Sequence, residues 1–167
     1  MTDHAAAINA ALSDALKDPE EWFEYCYALS DAAAKLGNEA LSKEEHLLVA
    51  ANQLDVCINS SGLYSYFEMQ PDCAALGKQA MDFLGLPDLS RMITQAGDAI
   101  GISPNPTSEQ IAKACRKWSV QPSERFAERL EKLASLEEFY YADQHAIMSA
   151  VVTYVQTHHL TLGRPPQ

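Results

Sequence analysis

Five histidines, four cysteines and two adjacent serines are the residues of this 167-residue chain whose types could do chemistry. A metal site needs such side chains to converge at helical or hairpin spacing. His4, His46, His145, His158 and His159 form no H-x-x-x-H and no E-x-x-H pair. His158 and His159 fall in the last turn of the final expected helix, where a cation meets the negative end of the helix dipole. Cys26, Cys57, Cys73 and Cys115 contain no C-x-x-C pair, and each lies in an apolar helical pattern, so they read as buried free thiols. Ser60 and Ser61 are conceivable nucleophiles, yet neither a His nor an acid stands beside them in sequence as a base. Phosphate-cradling glycine motifs and nucleophile elbows of the G-x-S-x-G type are missing. No catalytic residue, cofactor or metal is expected.

The elements that would position these residues are helices throughout. An opening helix is expected over about 3–17. In "DPEEWFEYCYALSDAAAKLG" Asp18 is a cap, Pro19 suits the first turn and Gly37 supplies a left-handed stop. Ser42 and Glu45 form a capping box, opening a helix whose Leu47, Leu48, Ala51, Leu54, Cys57 and Ile58 share one stripe. A corner over 59–62 ends it, with Asn59 and Gly62 tolerating positive φ. Leu63, Tyr66 and Phe67, at i, i+3 and i+4, then make the apolar face of a short helix. Two helices bounded by Pro71 and Gly85, and by Pro87 and Gly101, follow. After the loop "ISPNPTSE", further helices are expected at about 108–118, 122–134 and 136–159, the last opened by a capping box at 135–138. The expectation is an all-α chain: one compact domain over 1–160 with about eight or nine helices, then a frayed tail over 161–167.

Charge narrows the function. The net charge is -11 and the pI about 4.7. Residues 1–100 hold 16 acidic and 5 basic side chains, whereas residues 101–167 hold 7 of each. Direct nucleic-acid binding needs Lys and Arg at the phosphates and is not expected. With no ~20-residue apolar run and no basic-then-apolar leader pattern at the start, the expected location is cytoplasmic.

"DVCINSSGLYSYFE" resembles the signature of the family typified by the nineteen-kilodalton DNA-mimic protein, a helical domain of otherwise unknown function. Members tend to show Asn-Asn-Gly-Gly-aromatic and then Tyr-Phe; Asn59, Gly62, Tyr66 and Phe67 match, while Ser60 and Ser61 depart from it. "SLEEFYYADQHAIMSAVVTYVQTH" is similar to the family's acidic-aromatic final helix, so the resemblance spans about 40–160. It implies an all-helical fold, a homodimer and no known catalytic activity. For the type member it implies imitation of duplex DNA towards a helix-turn-helix transcription factor. The aromatic-rich segments 63–67 and 139–154 also point to a homodimer.

A DNA mimic needs carboxylates at phosphate-like spacing, and helix positions three or four apart hold Cβ atoms ~5–6 Å apart. Asp14, Asp18, Glu21 and Glu24 step by four, three and three, and Asp31 extends the series. With Glu20, Glu39, Glu44 and Glu45 they are the expected partner-binding residues. Caps and first turns account for several of these acids through the helix dipole. The expected partner is a basic DNA-binding protein. The alternative is an immunity or adaptor role, the acidic face inhibiting a basic enzyme such as a nuclease toxin.

Overall fold

In the computed structural model, which describes residues 4–120 and 123–162, the chain is a succession of nine α-helices with no strand among those residues. They are α1 (His4–Lys17), α2 (Trp22–Leu36), α3 (Lys43–Ser61), α4 (Leu63–Met69), α5 (Pro71–Phe83), α6 (Pro87–Ile100), α7 (Ser108–Ser119), α8 (Ser123–Tyr141) and α9 (Ala146–Leu162).

The centre is α3. Every residue from Leu47 to Asn52 is buried, as are Leu54, Cys57 and Ile58, so the helix is covered all round along its middle. The expected single apolar stripe is too narrow a description, because α2, α4, α5 and α9 all pack against it. Around this axle, α1 pairs with α2, α5 with α6 and α7, and α6 with α8. Tyr25, Tyr66 and Tyr140 are fully buried, and the apolar residues beside them form one continuous core.

Helix ends largely obey local chemistry. Ser42 Oγ accepts the Glu45 N–H at 3.2 Å while Glu45 Oε2 accepts the Ser42 N–H at 2.7 Å, completing the capping box. Gly37, Gly62, Gly85 and Gly101 all take positive φ; Gly101, at φ 77° and ψ 33°, is a left-handed stop, whereas Gly37, at φ 99° and ψ 159°, ends α2 outside the left-handed conformation expected of it. Asp18 does accept the Glu20 N–H at 3.0 Å, but Pro19–Glu21 form a 3-10 turn before α2 begins at Trp22. A second capping box, Thr107 with Gln110, opens α7, as the Thr-x-x-Gln spacing in the sequence allows.

Two expected boundaries are corrected. The capping box at 135–138 does not exist: Ser135 lies inside α8, and its Oγ donates to the Lys132 carbonyl at 2.8 Å. Leu133, Leu136 and Tyr140 form an unbroken buried stripe that carries the helix past it. The break comes instead at 142–145, where the Asp143 N–H reaches the Tyr140 carbonyl and the Ala146 N–H the Asp143 carbonyl. Asn59 is not part of a corner either. It is helical, and α3 continues to Ser61 before Gly62 turns the chain. Of the tail expected over 161–167, Thr161 and Leu162 belong to α9, and 163–167 lie outside the described residues.

One close approach fixes α5 against α4. A Cβ at Gly77 would stand 2.9 Å from Tyr66 Oη and 3.2 Å from its Cε1. Gly to Ala inside a helix ordinarily stabilises by roughly 0.5–1 kcal/mol. Here Tyr66 has no room to retreat, so Gly77→Ala should instead destabilise by about 1–3 kcal/mol. Denaturant unfolding checks the sign.

Candidate functional site

Two sets of residues were singled out by the sequence, and the fold treats them differently. The signature residues meet in a corner that joins α3, α4 and α8. Gly62, at φ 84°, lets the chain leave α3 and start α4 at once. Glu137 of α8 then caps the new helix from a distance: its Oε1 accepts the Leu63 N–H at 2.6 Å. Leu63, Tyr66 and Phe67 point into the core, with Phe67 2 % exposed and the other two fully hidden. The Tyr66 hydroxyl lies 2.9 Å from the Cys73 carbonyl and 3.2 Å from that of Ala50, tying α4 to both α5 and α3.

One turn earlier on α3, a polar cluster binds α8. Tyr140 donates to Asp55 Oδ1 at 2.6 Å, and the Asn59 amide donates to the same phenol oxygen and, at 3.0 Å, to the Asp55 carbonyl. Tyr141 adds a bond to the Ile58 carbonyl at 3.3 Å. Burial raises the Asp55 carboxyl above its ordinary value, against the Tyr140 bond, the nearby His145 charge and the Asn59 bond. Tyr140 is held well above the usual phenol range by burial and then by Asp55. Asp55, Glu137, Tyr140 and Tyr141 were not anticipated as partners. Their identities stood in the sequence, but nothing local relates positions about eighty residues apart.

At the corner, Ser60 Oγ donates to the Cys57 carbonyl and Ser61 Oγ to Ser60 Oγ, both at 3.4 Å. A larger groove of about 790 Å³ between α2, α3 and α5 includes His46, Asp72 and Cys73, but burial pushes the Cys73 thiol up to about 11, so it stays protonated near neutrality. Among the described residues no group of His, Cys, Asp and Glu could hold a metal ion. Nor is any helix there long and apolar enough to cross a membrane.

The acidic set lies mostly on the outside. Asp14, Asp18, Glu20, Glu24, Asp31, Glu39 and Glu44 are exposed and Glu21 is half-buried. Glu45 is a correction: it is fully buried, and its carboxylate is committed to the Ser42 cap, so it offers no charge to a partner. Two others are partly neutralised, Asp14 by Lys17 at 3.0 Å and Asp31 by Lys35 at 2.8 Å, with His4 at 3.7 Å from Asp31. Phe23 and Tyr27 lie among these acids on α2, 37 % and 42 % exposed and packed edge to face at 6.1 Å. The aromatic argument for a dimer narrows in turn. Leu63, Tyr66 and Phe67 are hidden within the chain itself, leaving Phe139 and Tyr141, 53 % and 50 % exposed.

Two outcomes follow from the corner. Gly62→Val should cost about 1–3 kcal/mol, since a β-branched residue resists positive φ, and its Cβ would sit 3.0 Å from the Glu137 oxygen that caps Leu63. Thermal melting equal to wild type would contradict this. The second concerns pH. Because the folded-state pKa of Asp55 is raised, its contribution to stability is full below the ordinary 3.8 and is lost as pH rises through the folded value. Asp55→Asn keeps an acceptor for Tyr140 and has nothing to ionise. The melting temperature of that variant minus that of wild type should therefore climb between about pH 3 and about pH 7; a difference that stays flat would contradict the reading.

Residues 39–158 match the family described as DMP19-like protein, a span that takes in both the corner and the polar cluster of Asp55, Asn59, Tyr140 and Tyr141. No curated protein and no solved structure matches the chain. The match begins just after α2 and covers well over half of the sequence. The chain belongs to the DMP19-like protein family.

Proposed function

We propose that this protein is a non-catalytic acidic binder that occupies the DNA-contacting surface of a basic protein, a helix-turn-helix transcription factor by the family reading, and so keeps it from DNA. The observation that carries this is the set of outward carboxylates on the first two helices and the turns around them. Residues 1–38 hold seven acidic and two basic side chains, a far denser excess than the sixteen and nine of residues 39–158. Exposed acids at Asp14, Asp18, Glu20 and Glu24 follow one another from the end of α1 into the start of α2. Attraction spread over such a surface is long-ranged, speeds association and weakens with salt. Phe23 and Tyr27 supply an apolar anchor amid the charge, as buried aromatics do at the centres of many interfaces. In this reading the protein works in the cytoplasm as a homodimer, with Phe139 and Tyr141 as the apolar residues left for a second copy.

A second reading has an observation of its own. Six of the nine expected contact acids, Asp14 to Asp31, precede residue 39, outside the segment that matches the family. The matched segment holds the corner scaffold, whereas the densest acidic surface lies ahead of it. A contact surface outside that segment supports a different basic partner, an enzyme held inactive in the manner of an immunity protein.

The test is capture of a basic partner from native lysate, followed by competition against its DNA at low salt. Glu20→Lys, Glu24→Lys and Glu39→Lys together should weaken competition at least tenfold with an unchanged helical circular-dichroism spectrum. These three are exposed and none is in an ion pair among the described residues. Single reversals should do little, since an exposed pair contributes under about 1 kcal/mol. Reversing Glu124 and Glu128 is the control and should leave competition close to wild type. An unchanged curve for the triple variant would place the contact surface elsewhere.

A further inference from the structure

The basic residues of the second half gather where the acidic surface does not reach. A pocket of about 290 Å³ opens between the end of α6, one face of α7 and the start of α8. Its lining brings Lys113 and Lys117 of α7 together with Arg129 of α8, beside the Gln110 amide, over an apolar floor that includes Ile100, Ala114 and Trp118. Arg129 is held in place: its guanidinium carbon lies 4.5 Å from the centroid of the Trp118 ring. Trp118 is itself stacked on Tyr64 at 5.8 Å and met edge-on by Phe126, so the platform under the arginine is rigid.

This convergence lacks an internal explanation. Among the described residues the ion pairs engage His4, Lys17, Lys35, Lys78 and Arg91, and none engages Lys113, Lys117 or Arg129. Lys113 and Lys117 are i and i+4 on one helix, an arrangement of like charges that is unfavourable by itself. Dipole complementarity accounts for Lys117, which is in the last turn of α7, but not for Lys113 in its middle or Arg129 in the early part of α8. In a chain with a net charge of -11, three cations that line one concavity and make no ion pair among the described residues point to a ligand that supplies the negative charge.

We propose that this pocket binds the phosphoryl group of a small organic anion. A guanidinium stacked on a ring keeps its in-plane N–H donors for a bidentate oxyanion. Two ammonium groups one helical turn apart then add point charges around the same group. The apolar floor accommodates a compact organic body, and the volume lies just below the ~300–1,000 Å³ typical of small-molecule sites, which suits a small ligand. The site is separate from the acidic surface of α1 and α2 and does not depend on the binding role proposed above.

The test uses the full-length protein with inorganic pyrophosphate and adenosine monophosphate as probes, each against sodium chloride of matched ionic strength. Thermal melting should rise saturably with one or both probes. Stabilisation by the nucleotide at lower concentration than pyrophosphate assigns the floor to an organic body; pyrophosphate acting alone assigns the charged group by itself. Lys113→Ala with Lys117→Ala, both at exposed positions, should reduce apparent affinity at least tenfold with unchanged helicity. Arg129→Lys keeps the charge without the fork and should fall between that variant and wild type. No stabilisation above the salt control, or stabilisation that survives the double lysine variant, would overturn the proposal.

Discussion

The bond between Tyr140 and Asp55 holds two distant parts of the chain in register, and much else follows from it. With Asn59 on the same phenol oxygen, the C-terminal end of α8 is tied to the last turns of α3. That docking carries Glu137 to the one backbone N–H of Leu63 that needs an acceptor, which in turn lets α4 begin with no spacer after Gly62. Tyr66 then ties α4 to α5 through the Cys73 carbonyl, and Gly77 gives it room. Asn59 is exposed, but the Tyr140 and Tyr66 hydroxyls are buried and the Leu63 N–H to Glu137 bond is part-buried, where a bond left unmade costs roughly 1–3 kcal/mol.

Much of this was legible in the sequence, for reasons that differ by element. Helix starts at Ser42, Pro71 and Pro87 and stops at Gly37, Gly85 and Gly101 depend on residues within one turn, so local chemistry was enough. Ser135 misled because its capping-box pattern is also compatible with a helix interior, where a serine hydroxyl can bond back to a carbonyl three residues earlier. What decided the matter was burial of Leu133, Leu136 and Tyr140 against other helices, a tertiary effect. Asn59 misled in the opposite direction. Its tolerance of positive φ invited a turn, whereas its side chain is employed within the helix. The Asp55–Tyr140 bond had no local signal at all.

Charge and fold prove to be largely separable in this molecule. The family match covers the corner and its clamp, while the densest acidic surface lies on α1 and α2, ahead of it. Glu45 marks the distinction within one short segment: it is acidic and stands in the matched region, yet its carboxylate caps a helix. Glu44 beside it is exposed and has no such duty. Acidity counted from composition therefore overstates what a partner can meet, and exposure has to be read residue by residue.

The central claim is that the acidic surface and DNA compete for one surface of a basic partner. The most direct measurement is whether the captured partner can hold both at once, followed by labelled DNA in sedimentation velocity at low salt. The account predicts two exclusive complexes, the DNA being released as this protein is added. A stable ternary species sedimenting faster than either binary complex would contradict it.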